Sequence, residues 1–374
     1  MAHVVTLCIL ALSSPGEVRV AAVRGNELLD YAIWRPGAPD GVGDLLRGRV
    51  SARVPAMGGC FVTLPGSEGF LPDSEGGKGL GEGTVLPVRI TRSAQGGKGP
   101  RLTAKLLDAD RRLADSGPPA LLRSGPSAVE IMACRYPEAA ILVDDPGLAA
   151  QLRPQLGDRV GVSREPLDDA LDAAMDALAL SEVSLPSGGH LHIEPTSALV
   201  AIDVDTGGAS SGRREKVVSQ FGFNRQILPV LARQIRLRNL AGAILVDFAG
   251  LSPRRRQALG PEFAELLRED PLRPRFLGFT ALGLAEIVRP RVHPPLHELL
   301  SGPHAAGLSA LREAAREASF RPGDAPALRA APAVIAALQA DPVALPDLAR
   351  RTGRSMILRS DPTLPACAWV LEGT

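Results

Sequence analysis

Cysteine is scarce and scattered in this sequence. The 374 residues contain four, Cys8, Cys60, Cys134 and Cys367, and no CxxC pair. Neither a zinc site nor a disulfide framework is therefore indicated. We expect a protein of the reducing cytoplasm.

Long apolar runs and net charge are lacking as well. No run of 18 apolar residues occurs, and no Lys or Arg precedes the apolar residues 4–12 (VVTLCILAL), so we expect no membrane span and no signal peptide and interpret this stretch as a strand. The formal net charge is only +1. Any affinity for nucleic acid must then come from local basic patches. The patches are Arg213, Arg214 and Lys216; Arg233, Arg236 and Arg238; Arg254, Arg255 and Arg256; and Arg289 and Arg291. The alternative is that several are ordinary solvated positions.

Two patterns of secondary structure divide the chain. Short strand-like runs separated by Gly and Pro fill the first hundred residues, which predicts antiparallel sheet or a small barrel. After residue 109 strands alternate with helices: a helix is predicted over 146–156, a hairpin over 182–194, and then strand 198–205, helix 224–238, strand 243–248 and helix 253–269. A strand, helix, strand order favours a crossover unit with parallel strands.

Carboxylates end both strands of this crossover unit. The stretch ALVAIDVDTGG places Asp203 and Asp205 two residues apart, on one face of a strand, and Asp247 ends the next strand. Ends of parallel strands share one edge of a sheet, so the three side chains are expected to converge. Carboxylates held close repel and attract a hard cation such as Mg²⁺, which supports phosphodiester hydrolysis. The alternative is that Asp205 only closes a turn.

The residues around these aspartates resemble the ribonuclease E/G family of bacterial endoribonucleases. The resemblance runs through EVSLPSGGHLHIEPTSALVAIDVDTGG (182–208), FNRQILPVLARQIRLRNLAGAILVDFAGLSP (223–253) and GFTALGLAEIVRPR (278–291). Weaker similarity covers LLRGRVSARVPAMGGCFVTLPGSEGFLP (45–72) and AAILVDDPGLAAQL (139–152). About a hundred residues with few gaps make the resemblance specific.

The resemblance implies a fold and a set of roles. Asp203 and Asp247 would be catalytic and hold Mg²⁺, with Mn²⁺ as an alternative ion, and Asp205 would orient them where the family usually has asparagine. Phe61, Phe70 and Lys98 would grip single-stranded RNA, although without the family we would place both phenylalanines in a barrel core. The basic residues expected to contact RNA are Arg213, Arg214, Arg289 and Arg291.

Three departures from the family limit what is carried over. The segment 113–139 is too short for the pocket that senses a 5′-monophosphate, and Arg123-Ser124 is at most its remnant. After Arg291, where the family has a CPxC zinc link, the chain reads VHPPLHELLSGPH. We also expect no counterpart of the long C-terminal scaffold that some members of the family carry. We therefore expect no zinc, and any oligomer without that link.

These observations lead to one committed interpretation. We expect an α/β protein of several subdomains: an RNase H-like body (1–36 and 107–180) with an inserted S1-type OB barrel (37–106), a DNase I-like catalytic subdomain (181–300) and a small C-terminal region (301–374). The expected function is a cytoplasmic, magnesium-dependent endoribonuclease acting on single-stranded RNA. The alternative is a non-catalytic RNA-binding protein that retains the fold.

Overall fold

A computed structural model describes residues 7–113, 116–163, 169–186, 188–207, 213–320 and 327–372. The side chains of residues 213–219, 319 and 320 lie outside the description. Residues 4–6 of the predicted first strand lie outside it as well. None of the helices in the described ranges is long and apolar enough to cross a membrane.

The described residues form strands and helices in the following chain order. The strands are β1 (Leu7–Ser14), β2 (Glu17–Arg24), β3 (Glu27–Trp34), β4 (Leu45–Val54), β5 (Gly59–Leu64), β6 (Ser67–Pro72), β7 (Val85–Arg92), β8 (Arg101–Thr103), β9 (Ala120–Arg123), β10 (Ala140–Val143), β11 (Val160–Val162), β12 (Glu182–Ser184), β13 (His190–Pro195), β14 (Val200–Asp205), β15 (Gly242–Asp247), β16 (Arg275–Phe279), β17 (Ala285–Arg289), β18 (Ala327–Ala330), β19 (Ile357–Ser360) and β20 (Trp369–Glu372). The helices are α1 (Asp108–Arg111), α2 (Ala128–Arg135), α3 (Pro146–Leu156), α4 (Asp169–Asp176), α5 (Arg213–Leu237), α6 (Pro253–Leu267), α7 (Leu296–Leu299), α8 (Gly302–Phe320), α9 (Pro332–Ala340) and α10 (Ala344–Thr352).

Residues 38–131 and 292–294 form one compact unit, built around a closed barrel. The strand order is β5-β6-β8-β7-β4, and β4 also pairs with β5, which closes five strands on themselves; β9 adds to β4. Alternate residues point inward, so the interior is filled by buried side chains such as Val50, Val62, Leu71, Val88 and Leu102. The barrel is consistent with an OB-like domain.

The second unit comprises residues 1–37, 132–291 and 295–374, and its described residues form three sheets. The first has the order β11-β10-β1-β2-β3, with β1 to β3 antiparallel and with β10 and β11 parallel to β1. A buried carboxylate, Glu17, starts β2 and accepts hydrogen bonds of 2.9 Å from Arg35 and from Arg312 of α8. Two guanidinium groups thus compensate the desolvation of that charge.

The C-terminal sheet of this unit has the order β19-β18-β20. Helices α8, α9 and α10 pack on it through apolar side chains that include Leu311, Leu328, Val334 and Leu348. None of these three strands was predicted from the sequence.

The third sheet of this unit carries the candidate site and has the order β12-β13-β14-β15-β17-β16. β14 and β15 are parallel, with α5 between them in the chain, while all other neighbours in the sheet are antiparallel. The apolar residues of the inner strands pack with α5 and α6 into one buried cluster that includes Ile202, Val246, Leu228 and Phe263.

The predicted mixed α/β architecture and the small barrel near the start of the chain are confirmed. The predicted helix over 146–156 is α3, and the predicted crossover unit is β14, α5 and β15. Asp145 caps α3 by accepting a 2.8 Å bond from the Leu148 amide, which accounts for the sharp start of this helix before Pro146. The five-part domain division stays a prediction.

Candidate functional site

The alternation of residues along β14 creates an apolar face and an acidic face. Val200, Ile202 and Val204 are buried against the helices, whereas Asp203 and Asp205 are exposed on the opposite face. This follows from the two-residue period of a strand. In the described part of the chain, α5 and α6 pack on the apolar face, and the acidic side chains are exposed to solvent.

Asp203 and Asp247 are register partners on the adjacent parallel strands β14 and β15. Neighbouring strands lie about 4.8 Å apart, so the two backbones bring the carboxylates side by side on the open face. Within the described ranges, neither side chain has an ion-pair partner. Like charges placed directly opposite each other are destabilising unless a cation lies between them.

Two histidines of β13 extend the acidic face. His192 is the register partner of Asp203, and His190 is the register partner of Asp205. Glu182 of β12 lies opposite His192 and comes within 2.9 Å of Nδ1 of His190, although this atom lacks the alignment for a hydrogen bond. A row of Glu182, His192, Asp203 and Asp247 therefore crosses four strands.

Asp205 has a structural task at the end of β14. Its Oδ1 accepts a 3.0 Å hydrogen bond from the backbone N–H of Gly207, which closes an Asx turn. The hairpin between β12 and β13 packs closely here: a Cβ added at Gly189 would lie 2.1 Å from the carbonyl oxygen of Asp205. The predicted turn role of Asp205 is thus real, and it fixes the strand end next to Asp203.

The loop after Asp247 is anchored by a buried amide. Asn224 of α5 is fully buried, and its Nδ2 donates to the carbonyl of Ala249 (3.0 Å) and to that of Gln220 (2.7 Å). The amide therefore ties α5 to the residues that follow β15. It holds the position of the chain directly behind Asp247.

The donor set suits a hard cation held by few protein ligands. In the described part of the chain no three His, Cys, Asp or Glu side chains form a group arranged for a metal ion. Mg²⁺ is commonly bound through one or two carboxylates, with waters and phosphate oxygens completing its shell. The Asp203–Asp247 pair matches that requirement, whereas a closed three- or four-ligand site of the zinc type is not present among these residues.

The structure corrects two of the predicted RNA contacts. Arg289 is 3% exposed: its Nε donates to Asp270 at 2.7 Å, and Nη1 donates to Asn239 and to the carbonyl of Leu240. Its donors serve the interior, so the prediction that it contacts RNA is wrong. Arg291 donates from both Nη atoms to Glu298 and keeps 8% of its side chain exposed, so it too is committed to an internal contact.

The hydrogen bonds from Arg291 also change the pKa of Glu298. Hydrogen bonding from Arg291 lowers the pKa of Glu298 below its usual value, because the charged carboxylate is the form that accepts both bonds. The side chains of Arg213 and Arg214, the other predicted contacts, lie outside the described residues. Their role stays a prediction.

The predicted RNA-gripping residues lie on the outside of the barrel. Phe61 and Phe70 are register partners on β5 and β6, half-buried, with ring centroids 5.6 Å apart in an edge-to-face arrangement. Neither belongs to the buried barrel cluster, so the alternative placement in the core does not hold. Lys98 is exposed at a tight turn closed by reciprocal backbone bonds between Gln95 and Lys98. Their contact with RNA stays a prediction.

Sequence reasoning missed His192 and Asn224. The alternation in the segment HLHIEP (190–195) was the available signal for His192, because it predicts both histidines on one face of a hairpin strand leading to Asp203. Asn224 gave no such signal. Its role depends on the carbonyl of Ala249, 25 residues along the chain, which only the fold brings near.

The fold and site define a mixed α/β protein with an OB-like barrel and an open acidic sheet edge. The model of the Ribonuclease E/G family matches residues 148–292, the part that contains this edge. Ribonuclease E of Nostoc sp. is 42% identical over 132 residues, which are 34% of this chain and 19% of that protein. Ribonuclease G of Escherichia coli is 35% identical over 141 residues, 37% of this chain and 28% of that protein.

A longer and weaker similarity extends over most of the chain. Ribonuclease E of Escherichia coli is 25% identical over 388 aligned residues, which cover 75% of this chain and 36% of that protein. The chain is thus similar to the ribonuclease E/G family over residues 148–292. It spans between about a fifth and just over a third of the length of these relatives.

Proposed function

We propose that this chain is a metal-dependent endoribonuclease that hydrolyses phosphodiester bonds in single-stranded RNA. One observation carries the proposal: the exposed carboxylates of Asp203 and Asp247 are in register on adjacent strands, inside the segment that matches the family. Two facing charges with no described cationic partner are an arrangement that a bound divalent ion makes favourable.

The roles of the residues follow from their positions. Asp203 and Asp247 would hold Mg²⁺, or Mn²⁺, and the ion would polarise the scissile phosphate and lower the pKa of a water. Asp205 fixes the end of β14 through Gly207, and Asn224 fixes the chain behind Asp247. Zinc is not expected, because the segment after Arg291 has no cysteines in place of the family's CPxC zinc link.

The other parts of the chain support an RNA-binding role. Phe61 and Phe70 present aromatic surface outside the barrel, which suits stacking of unpaired bases, and Lys98 adds a positive charge for the backbone. We therefore propose that the barrel is an S1-type OB domain. We also propose that the sheet that carries Asp203 and Asp247 belongs to a DNase I-like subdomain.

The first sheet of the larger unit supports a structural role for an RNase H-like body. Its order, three antiparallel strands extended by two parallel ones, favours that interpretation. Its strand-end carboxylates are engaged internally: Asp144 accepts from the Ser13 amide at 2.8 Å, and Asp145 caps α3 and pairs with Arg350. Burial raises the pKa of Asp144; for Asp145 burial acts in the same direction, but the bonds from Leu148 and Arg350 outweigh it and lower the pKa.

Cleavage of a labelled AU-rich oligoribonucleotide by the purified full chain tests the proposal. We expect internal cuts with Mg²⁺ or Mn²⁺ and none with EDTA, and cutting by Asp203→Asn that is slower on the order of a hundredfold or more in either metal. A DNA oligonucleotide of the same sequence serves as the substrate control. Tight RNA binding without cleavage in either metal would establish the non-catalytic RNA-binding alternative and overturn the proposal. We also propose a cytoplasmic site of action, because the four cysteines include no CxxC pair.

A further inference from the structure

A row of four side chains crosses the outer face of the barrel. Phe61 pairs with Phe70, Phe70 pairs with Arg101, and Arg101 pairs with Arg92, so the row passes over β5, β6, β8 and β7 in order. We name these four residues the transverse row. One half of it is aromatic and the other half is cationic.

The residues next to the row show that it faces outward. Leu71 and Leu102, which follow Phe70 and Arg101, are fully buried in the barrel core. Successive side chains of a strand point to opposite faces, so Phe70 and Arg101 point away from that core. The exposure of Arg101 agrees with this orientation. The backbones of Phe70 and Arg101, register partners on neighbouring strands, lie about 5 Å apart.

The two arginines face each other without a counter-charge. Arg92 and Arg101 are partners across an antiparallel pair, at a β-bulge, and in the described part of the barrel neither has a carboxylate within ion-pair distance. The Nε of Arg92 is buried and has no hydrogen-bond partner among the described atoms. Glu68, the outward carboxylate two residues before Phe70, accepts a 2.6 Å bond from Ser51 instead. Like charges directly opposite each other are destabilising, and a buried unpaired donor adds to this cost.

We propose that Arg92 and Arg101 bind the phosphodiester backbone of a single strand whose bases stack on Phe61 and Phe70. This inference rests on the proposed function, because it assumes that single-stranded RNA is the ligand. A phosphate oxygen supplies the missing acceptor for the guanidinium groups, and guanidinium matches phosphate geometry through paired N–H donors. The transverse row thus orients the bound RNA, with the bases on its aromatic half and the phosphodiester backbone on its cationic half. Stacking and charge, with no base-edge contacts, predict binding that tolerates any sequence.

The salt dependence of binding tests the inference. The purified full chain is titrated into a fluorescent single-stranded oligoribonucleotide in EDTA, and the anisotropy is measured over a range of KCl concentrations. Each phosphate contact contributes roughly 0.7 to the slope of log K against log salt for a single strand. We expect Arg101→Ala and Arg92→Ala each to lower the slope by about 0.7 and to weaken binding roughly fivefold near 0.1 M salt, and the double variant to lower the slope by about twice as much.

Matched variants separate this inference from the proposed function. Arg111→Ala removes an exposed arginine of α1 in the same unit and is expected to leave the slope unchanged. Arg101→Lys is expected to keep the slope, because the charge remains. Phe61→Ala and Phe70→Ala should weaken binding without changing the slope.

An unchanged slope for both arginine variants, with weakened binding by the phenylalanine variants, would overturn only this inference. Slopes that fall as expected in a protein that cuts no RNA would uphold it while the proposed function fails. Unchanged RNA binding in the four alanine variants of the transverse row would overturn both the inference and the proposed role of the barrel in binding RNA. Thermal melting of each variant confirms that it is folded.

Discussion

Asp203 and Asp247 occupy facing positions on parallel strands, each directly after a buried apolar residue, Ile202 or Val246. The burial of those two residues fixes the strand register, because a slip by one residue would turn the apolar side chains toward solvent. The hydrophobic core therefore holds the two carboxylates together despite their repulsion. The proposed cation would therefore meet two carboxylates that the fold already holds in register.

Removal of one charge from this pair has opposite effects on stability and on activity. We expect Asp203→Asn and Asp247→Asn to melt at the same or a slightly higher temperature than the wild type in EDTA, since a like-charge pair costs about 0.2–1 kcal/mol. Mg²⁺ should raise the melting temperature of the wild type and not of the variants, because only the wild type keeps both ligands. Cleavage should fall on the order of a hundredfold or more, while RNA binding in EDTA survives.

Glu194→Gln provides the control for this pair. Glu194 is exposed on β13 and faces Ala201, so the same loss of one charge occurs where no carboxylate lies opposite. Its melting temperature in EDTA and its response to Mg²⁺ should match those of the wild type. Equal cleavage by the wild type and both aspartate variants would remove Asp203 and Asp247 from the reaction.

Replacement of Asp205 by asparagine should alter metal affinity more than catalysis. An asparagine Oδ1 accepts the same bond from the Gly207 amide, so the turn remains. We expect Asp205→Asn to keep kcat at saturating Mg²⁺ within about threefold and to need several-fold more Mg²⁺ for half-maximal rate, because one nearby negative charge is lost. Asp205→Ala, which has no acceptor for the turn, should lose activity at every Mg²⁺ concentration. A shift of the Mg²⁺ requirement in the opposite direction would contradict this role.

The acidic edge could be predicted because its signals are local. Apolar runs ended by aspartate indicated β14 and β15, and the intervening helical period indicated that these strands are parallel. The sequence did not indicate β18, β19 and β20, which have four residues each, too few to show a period. β16 was missed for another reason, since it contains Gly278 at φ +121° beside a register shift.

Contacts between residues far apart in the chain could not be predicted from local sequence patterns. Arg289 looked like a surface charge, yet it is buried by Asp270 and by Asn239, which precede it by 19 and 50 residues. The transverse row likewise joins β6 to β8 by a parallel pairing that skips β7 in the chain. A basic patch in the sequence therefore does not tell which of its arginines meet solvent.

Asp361 is one carboxylate through which the C-terminal sheet should lose stability in acid. Asp361 accepts bonds from Thr363 and from Arg329 of β18, and these lower its pKa from 3.8 to about 2. Because the folded pKa lies below the unfolded one, the unfolded chain takes up the proton first. The contribution is complete above about pH 4 and is lost as the pH falls toward 2.

Melting temperatures recorded over this pH range check the role of Asp361. We expect the melting temperature of Asp361→Asn to fall less between about pH 4.5 and 2.5 than that of the wild type. Asp108→Asn, which alters a carboxylate that is 83% exposed, should follow the wild type. Identical acid profiles for Asp361→Asn and the wild type would contradict the assignment.

The ends of the RNA should matter little to this chain. Arg123 donates to the buried Asp110 at 2.7 Å, and Asp110 also accepts from Arg89. A terminal phosphate would have to compete with that carboxylate for the Arg123 guanidinium. We therefore expect kcat/KM for 5′-monophosphorylated and 5′-hydroxyl forms of one oligonucleotide to agree within about threefold, a difference under ~1 kcal/mol. Phe61→Ala or Phe70→Ala should weaken both forms alike, by roughly 1–3 kcal/mol per lost stack. A strong preference for the monophosphate that disappears in Arg123→Ala would show instead that Arg123 leaves Asp110 to bind the 5′ end.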